Sequence, residues 1–310
     1  MRVVVAGLGI QGKKRLAMAG ADVVATVDPH VDTAQYRALE EVPLDGYDAA
    51  LVCTPDQAKL ALMRYLLGNG KHVLVEKPLV GNGVEDLMQL EELAREHDAV
   101  SYTAYNHRFE PHFVRLKQAL DAGTLGRIYT VRFFYGNGTA RDVRNSVWRD
   151  QGCGVLPDLG SHLLDTILYW FGPIEGLCRP WRADRFENRS YDRVVFGFHG
   201  PLAVDCEMSM LSWRNTFSAD IYGEKGSAHI SSLCKWGPST FTLRERVLPS
   251  GRPDEQSDTL VCADPTWAAE YLHFKRLCQR AGENRGGNLH NDIWIQSKLQ
   301  ELSVAIGGME

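Results

Sequence analysis

The sequence predicts two domains: an α/β domain on a doubly wound parallel sheet over residues 1–105, and an α+β domain with a large open, mainly antiparallel sheet over residues 106–310. Three observations lead there. The chain has 310 residues, more than a single hydrophobic core usually accommodates. Up to residue 106 short apolar runs alternate with helical segments. Beyond Phe109 the apolar runs follow one another across turns instead.

In the first part, Arg2–Ala6, Asp22–Asp28, Ala49–Thr54, His72–Val75 and Ala99–Tyr105 are rich in Val, Ala and Leu and lack strict alternation. That is the pattern of parallel strands buried on both faces. Between them Gln11–Ala19, Asp56–Leu67 and Val84–His97 read as helices, the last with Leu87, Leu90, Leu93 and Ala94 at helical spacing. Strands separated by helices imply right-handed crossovers. In the second part a helix over Pro111–Ala122 precedes strands at Arg127–Tyr135, Arg193–His199, Leu202–Leu211, Phe217–Tyr222, Ala228–Ser232 and Thr240–Val247. A helix at Asp158–Trp170 interrupts them, and helices at Trp267–Arg280 and Asn291–Ala305 close the chain.

Apolar residues make up 44% and charged residues 24%, with a net charge of -5. This is an ordinary globular balance, and no basic arm marks a nucleic-acid or membrane-surface partner. No apolar run approaches the roughly 18–20 residues that span a bilayer. The first residues read directly into a strand without a leader pattern, so a cytoplasmic location is expected. The seven cysteines are odd in number and never spaced as CxxC, which suggests neither a disulfide framework nor a zinc site.

Gly7-Leu8-Gly9-Ile10-Gln11-Gly12 lies directly after a Val-rich strand and directly before a helix. In that setting Gly7 permits the tight turn, Gly9 lets the backbone approach a pyrophosphate, and Gly12 permits close packing of helix on strand. Asp28 ends the second strand where this fingerprint expects an acidic residue for the ribose hydroxyls. Its charge would repel a 2′-phosphate, so NAD is favoured over NADP, although Asp-Pro is also a common turn cap. Glu76-Lys77-Pro78 ends the fourth strand, at the edge of an open α/β sheet where ligands bind, yet by itself it could be a surface ion pair. Asp158 and His162 are four residues apart on a predicted helix and share a face, with Asp165 one turn on. An imidazole titrating near neutrality suits proton abstraction from a hydroxyl; the alternative is a helix cap and an interior histidine.

Gly7–Gly12, Cys53-Thr54-Pro55, Lys71-His72-Val73 running into Glu76-Lys77-Pro78, the stretch Tyr105–Pro111 and the block Gly154, Asp158, His162, Asp165 occur in order over residues 1–172. Together they resemble the glucose-fructose oxidoreductase, inositol dehydrogenase and rhizopine-catabolism (Gfo/Idh/MocA) family. The resemblance implies an N-terminal Rossmann domain, a second domain with a large open sheet, and oxidation or reduction of a sugar or cyclitol hydroxyl. It implies Lys77 and His162 as the catalytic pair with Asp158 beside them. It further implies cofactor contacts from Gly7, Gly9, Ile10, Gln11, Gly12, Asp28, Thr54, Pro55, Glu76, Lys77 and Asn106, and a cis Lys77–Pro78 peptide. One departure is visible: Lys59 stands where family members often carry a histidine.

On this basis His162 is expected to act as the base, Lys77 to hydrogen-bond the developing alkoxide, and Asp158 to orient the histidine or bind a neighbouring hydroxyl. No metal is expected, because hydride acceptance belongs to the nucleotide. Tyr135–Arg149, with Arg144, Asn145, Trp148 and Arg149, is expected to wall the substrate pocket together with Lys77, Asp158 and His162. Its arginines suit a phosphate or a nucleotide diphosphate, the alternative being a solvated basic loop; with the UDP-N-acetylglucosamine 3-dehydrogenase branch that the chain resembles, a nucleotide-linked sugar is the first expectation. A free sugar or cyclitol is the second. A non-catalytic cofactor-binding sensor of the same fold is a third, which the presence of both Lys77 and His162 disfavours. The open sheet face is expected to be covered in a homodimer or homotetramer.

Overall fold

In the computed structural model, residues 1–146 and 149–309 are described. The chain divides into two units. The first comprises Met1–Asn106 with Trp267–Ser297, and the second comprises His107–Thr266 with the segment that begins at Lys298. The division therefore differs from a single break at residue 105 in one respect: Trp267–Ser297 returns to the first unit.

The first unit alternates β1 (Val3–Ala6), α1 (Ile10–Ala19), β2 (Val23–Val27), β3 (Ala49–Val52), α2 (Asp56–Gly68), β4 (His72–Glu76), α3 (Val84–Glu96) and β5 (Ser101–Ala104). The five strands are parallel in the order β2-β1-β3-β4-β5. Every residue of β1 and β3 is buried, which explains why these strands read as continuous apolar runs rather than alternating ones. Leu87, Leu90 and Ala94 of α3 join the core, as their spacing predicted.

The turn from β1 into α1 depends on its glycines. Gly7 has φ 90, and a Cβ there would lie 2.7 Å from the Cys53 carbonyl oxygen. A Cβ on Gly12 would lie 1.8 Å from the Gly7 carbonyl oxygen, so the helix packs on the turn with no room for a methyl.

The second unit contains α4 (Pro111–Asp121), β6 (Ile128–Gly136), α5 (Ala140–Arg144), a π-helical turn (Leu156–Gly160) leading into α6 (Ser161–Phe171), and β7 (Leu177–Asp184). It continues with β8 (Arg193–His199), β9 (Ala203–Ser209), β10 (Thr216–Gly223), β11 (Gly226–Ser231), β12 (Ser239–Glu245) and β13 (Glu255–Leu260). From Trp267 on, helix α7 (Thr266–Gln279) and the first part of α8 (Leu289–Gly307) then belong to the first unit, and the remainder of α8 belongs to the second. The eight strands run in the order β13-β12-β11-β10-β6-β9-β8-β7, and β6–β9 is a parallel pair in an otherwise antiparallel sheet. Val131, Phe133 and Tyr135 of β6 and Phe217, Ala219 and Ile221 of β10 are buried, while their alternate neighbours are more exposed. Phe133 stacks on Trp170 of α6 and Phe113 of α4 lies 4.8 Å from the same indole, so both helices cover this one face.

Sequence patterning does not predict β7, β13 or α5. Both strands are the sheet's edges. β7 carries Pro180 and three charged residues, and β13 is polar throughout except for Leu260. Edge strands are commonly kept polar, which erases the hydrophobic signal.

Substitution Gly12→Ala is expected to destabilise the chain by about 1–3 kcal/mol, the usual cost of overpacking. Thermal unfolding of the purified variant checks this, with the first unit's amides losing protection first in hydrogen exchange.

Candidate active site

Several of the residues singled out in the first unit lie at the carboxyl ends of its strands. Gly9 caps α1, and a Cβ built on it meets nothing within 4 Å, so space lies over the turn where an anion would approach the helix N-terminus. Ile10 beside it is 79% exposed although apolar, and Gln11 is exposed too. At the end of β3 the buried hydroxyl of Thr54 has no hydrogen-bond partner among the described residues, next to Pro55, which caps α2. An open glycine turn, an exposed apolar residue and an orphaned hydroxyl are the features a bound dinucleotide would satisfy. Asn106 is buried at the last position of the unit's first segment.

Asp28 is engaged within the chain. Its carboxylate accepts the backbone N–H of Leu8 at 2.7 Å, His30 at 2.8 Å and Val31 at 3.1 Å. It thus serves as the turn cap that Asp-Pro suggested, and it also braces the glycine turn. A carboxylate offers about four acceptor sites, so one remains for a ribose hydroxyl. Burial alone would raise its pKa, but the three N–H donors outweigh burial and hold it below the usual carboxylate range. A lowered folded pKa contributes stability that is fully present above the unfolded value of about 3.9 and is lost as pH falls through the folded one. The brace therefore persists at neutral pH.

Glu76 is not the surface residue that the tripeptide alone allowed. It is buried, and its Oε1 accepts the Arg15 Nε at 2.7 Å. Arg15, 1% exposed, also donates to Glu270 of α7 at 2.6 Å and lies over the Trp267 ring. Burial pulls the Arg15 pKa down, and Glu270 and Glu76 more than reverse this. Lys77 follows, half-buried, with a cis Lys77–Pro78 peptide.

The second unit holds the histidine. The π turn places Asp158 one residue out of α-helical phase with α6, so the predicted helix is not uniform from Asp158 to Trp170. Such turns recur at functional sites. His162, 6% exposed, stacks on His107 with ring centroids 4.0 Å apart, and Tyr135 meets it edge-on at 6.0 Å. The Lys235 ammonium donates to Nε2 of His107 at 3.0 Å. An ammonium has no acceptor, so Nε2 of His107 presents its lone pair and the proton of that neutral ring sits on Nδ1. Sequence reasoning missed His107 and Lys235 as neighbours of His162. His107 lay within the recognised Tyr105–Pro111 stretch, but Lys235 comes from a turn 73 residues beyond His162 with no motif around it.

Asp158 is about one-third exposed and lies 3.8 Å from the Arg149 guanidinium. Arg144 and Asn145 are exposed at the end of α5. Trp148 lies outside the described residues. Asp165 is not available to a substrate: it is 1% exposed and accepts a bidentate pair from Arg108 at 2.6–3.0 Å. Burial holds its carboxyl above the usual range even against Arg108. Among the described residues no group of three or more His, Cys, Asp or Glu is placed to hold a metal ion, and no helix is long and apolar enough to cross a membrane.

Removing Arg108 leaves a buried carboxylate without its partner, so Arg108→Met is expected to destabilise the chain by about 3–5 kcal/mol. Denaturant unfolding checks this. Adding Asp165→Asn to the variant should recover part of the loss.

Residues 1–105 match the NAD-binding Rossmann fold of the GFO/IDH/MocA oxidoreductase family, and residues 113–229 match that family's C-terminal domain. The chain is 31% identical over 262 residues to the uncharacterized oxidoreductase YdgJ of Escherichia coli, covering 76% of this chain and 72% of that one. It is 29% identical over 249 residues to scyllo-inositol 2-dehydrogenase (NADP(+)) IolW of Bacillus subtilis, covering 78% of this chain and 64% of that protein. Against several curated relatives the matched part spans only 37% to 64% of the relative's length. In fold the chain is similar to UDP-N-acetylglucosamine 3-dehydrogenase GnnA of Acidithiobacillus ferrooxidans, with a TM-score of 0.80 at 17% identity over 98% of this chain and 97% of that one. With both of its domains matched, the chain belongs to the GFO/IDH/MocA oxidoreductase family, with an NAD-binding Rossmann domain at its N-terminus.

Proposed function

We propose that this protein is an NAD-dependent dehydrogenase that oxidises a secondary hydroxyl of a sugar, with a nucleotide-linked sugar such as UDP-N-acetylglucosamine, oxidised at C3, as the first candidate. The observation that carries the reading is the His162 cluster: a buried imidazole held by stacking and edge contacts, four residues beyond a half-buried aspartate. Bound NAD supplies the hydride acceptor. His162 takes the hydroxyl proton, and the Lys77 ammonium hydrogen-bonds the same oxygen as it gains negative charge. Positioned charge of this kind contributes a few kcal/mol where water is excluded, and a placed base about 10²- to 10⁴-fold. Asp158 binds a neighbouring hydroxyl, and Arg149 beside it, with Arg144 and Asn145, serves the phosphates.

A free sugar or cyclitol is the second reading, favoured by relatives named as inositol and levoglucosan dehydrogenases. We further propose that the open face of the eight-stranded sheet pairs with a second copy in a homodimer or homotetramer. That face alternates charges of both signs, including Arg193–Glu207 and Arg244–Glu255, and such a surface can complement itself about a two-fold axis.

Incubating the protein and NAD with UDP-N-acetylglucosamine, myo-inositol, scyllo-inositol and levoglucosan, and following NADH absorbance, is expected to give turnover with the nucleotide sugar. Turnover with a cyclitol alone would replace the first candidate by the second. On the active compound, His162→Ala and Lys77→Ala should each lower turnover by at least about 10²-fold, with NAD affinity little changed by His162→Ala. A folded His162→Ala protein at near-normal turnover would remove histidine from the role of base.

NAD is expected to bind more tightly than NADP. Asp28→Asn, which keeps one oxygen for the turn, combined with His30→Arg should narrow or reverse that preference in titrations with both nucleotides. Equal affinity of the natural protein for the two would overturn the role of Asp28 in selection.

A further inference from the structure

Lys59 is a charged residue of α2 that is only 2% exposed. It lies one turn into α2, which starts directly beyond β3, and β3 pairs with β4 in register Val52↔Val75. Its stem therefore reaches across to the end of β4. There the Nζ donates to the carbonyl oxygen of Glu76 at 2.6 Å and to that of Pro78 at 2.8 Å. The third N–H meets Asp56 Oδ1 at 2.7 Å. Three acceptors around one nitrogen use all the donors of an ammonium. Burial lowers the Lys59 pKa and Asp56 opposes that shift; a buried ammonium is costly unless each N–H has a partner.

The two carbonyls belong to the residues on either side of Lys77. A single buried group thus holds both ends of the short segment that carries the Lys77 side chain. Glu76 is fixed again through its carboxylate by Arg15. We infer that Lys59 is a positioning residue for Lys77: by donating to the Glu76 and Pro78 carbonyls it fixes the backbone from which the Lys77 ammonium is aimed. This rests on the reading of Lys77 as the group that hydrogen-bonds the reacting oxygen. It gives Lys59 no contact with substrate. A hydrophobic residue of similar length would fill the space and leave two carbonyls without donors, which frees the segment without emptying the core.

The experiment uses the full chain loaded with NAD. The acetylation rate of Lys77 by sulfosuccinimidyl acetate is read by mass spectrometry in wild type and Lys59→Met, with Lys13, Lys14 and Lys71 of the same unit as internal controls. A several-fold change at Lys77 with the controls unchanged is expected. Changes shared by all four lysines, or none, overturn the proposal. Turnover of UDP-N-acetylglucosamine is compared in Lys59→Met, Lys77→Ala and the double variant. Lys59→Met should lose at least about 10-fold, because a shift of ~1 Å in a reacting group can cost about 10²-fold. The double variant should be no slower than Lys77→Ala, since a residue acting through Lys77 has nothing left to act on. Losses that multiply would assign Lys59 a separate role and overturn the inference. If Lys77→Ala keeps full turnover, the catalytic reading of Lys77 fails, and the acetylation rates still decide whether Lys59 fixes its segment. Should Lys59→Met not fold, Lys59→Gln removes the charge and one donor and is read in the same assays.

Discussion

The first unit is organised around the guanidinium of Arg15. It is buried in α1, just behind the glycine turn, and it ties that helix to Glu76 at the end of β4 and to Glu270 in α7. Charges of this kind are costly to bury, and replacing a whole buried set by apolar residues is often neutral or stabilising. What the arrangement provides is direction: only one placement of α1, β4 and α7 satisfies all three groups. The turn ahead of α1, braced by Asp28 and closed by the contact of Gly12 on Gly7, inherits that placement. So does the strand end that carries Lys77.

The second unit fixes its histidine differently, through aromatic packing. His162 lies on a helix whose opposite side is apolar and fully buried, and the ring packs against His107 and Tyr135. Behind His107 stands Lys235, and beside it Glu110 accepts the Cys234 backbone N–H. Burial raises the Glu110 carboxyl above its ordinary range. Polar groups enclosed in this way hold a ring in one orientation, because each alternative leaves a donor or acceptor unmet.

Much of this was legible in the sequence for physical reasons. The parallel strands were visible because burial on both faces makes them uniformly apolar, and the glycine turn was visible because close backbone approach excludes side chains. Lys77 and His162 were visible because a strand end and a helix face are recognisable settings for charge. The edge strands Leu177–Asp184 and Glu255–Leu260 were hidden because solvent demands polar residues there. Arg15 and Lys59 were hidden because a charged residue on a helix normally reads as a solvated face; nothing local announces that its partners lie 61 and 255 residues away for Arg15, or 17 and 19 for Lys59. The π turn before α6 was hidden because a shift of one residue in hydrogen bonding leaves the composition of the segment unchanged.

The return of Trp267–Ser297 to the first unit has a consequence for how the chain is made. β5 is an edge of its sheet, and it is covered by late residues: Asn288 bonds both the N–H and the carbonyl of Thr103, and Asp292 accepts the Thr103 hydroxyl. Glu270 reaches Arg15 from the same segment. During synthesis, then, the nucleotide-binding unit emerges first and is finished last. The whole of the second sheet is translated while the first carries an open strand edge and a half-neutralised arginine. Domains generally fold as units in order of emergence, but here the first unit waits for residues that are translated only after the second sheet, and a ribosome stalled between the two sheets holds a Rossmann unit with its seam unsewn.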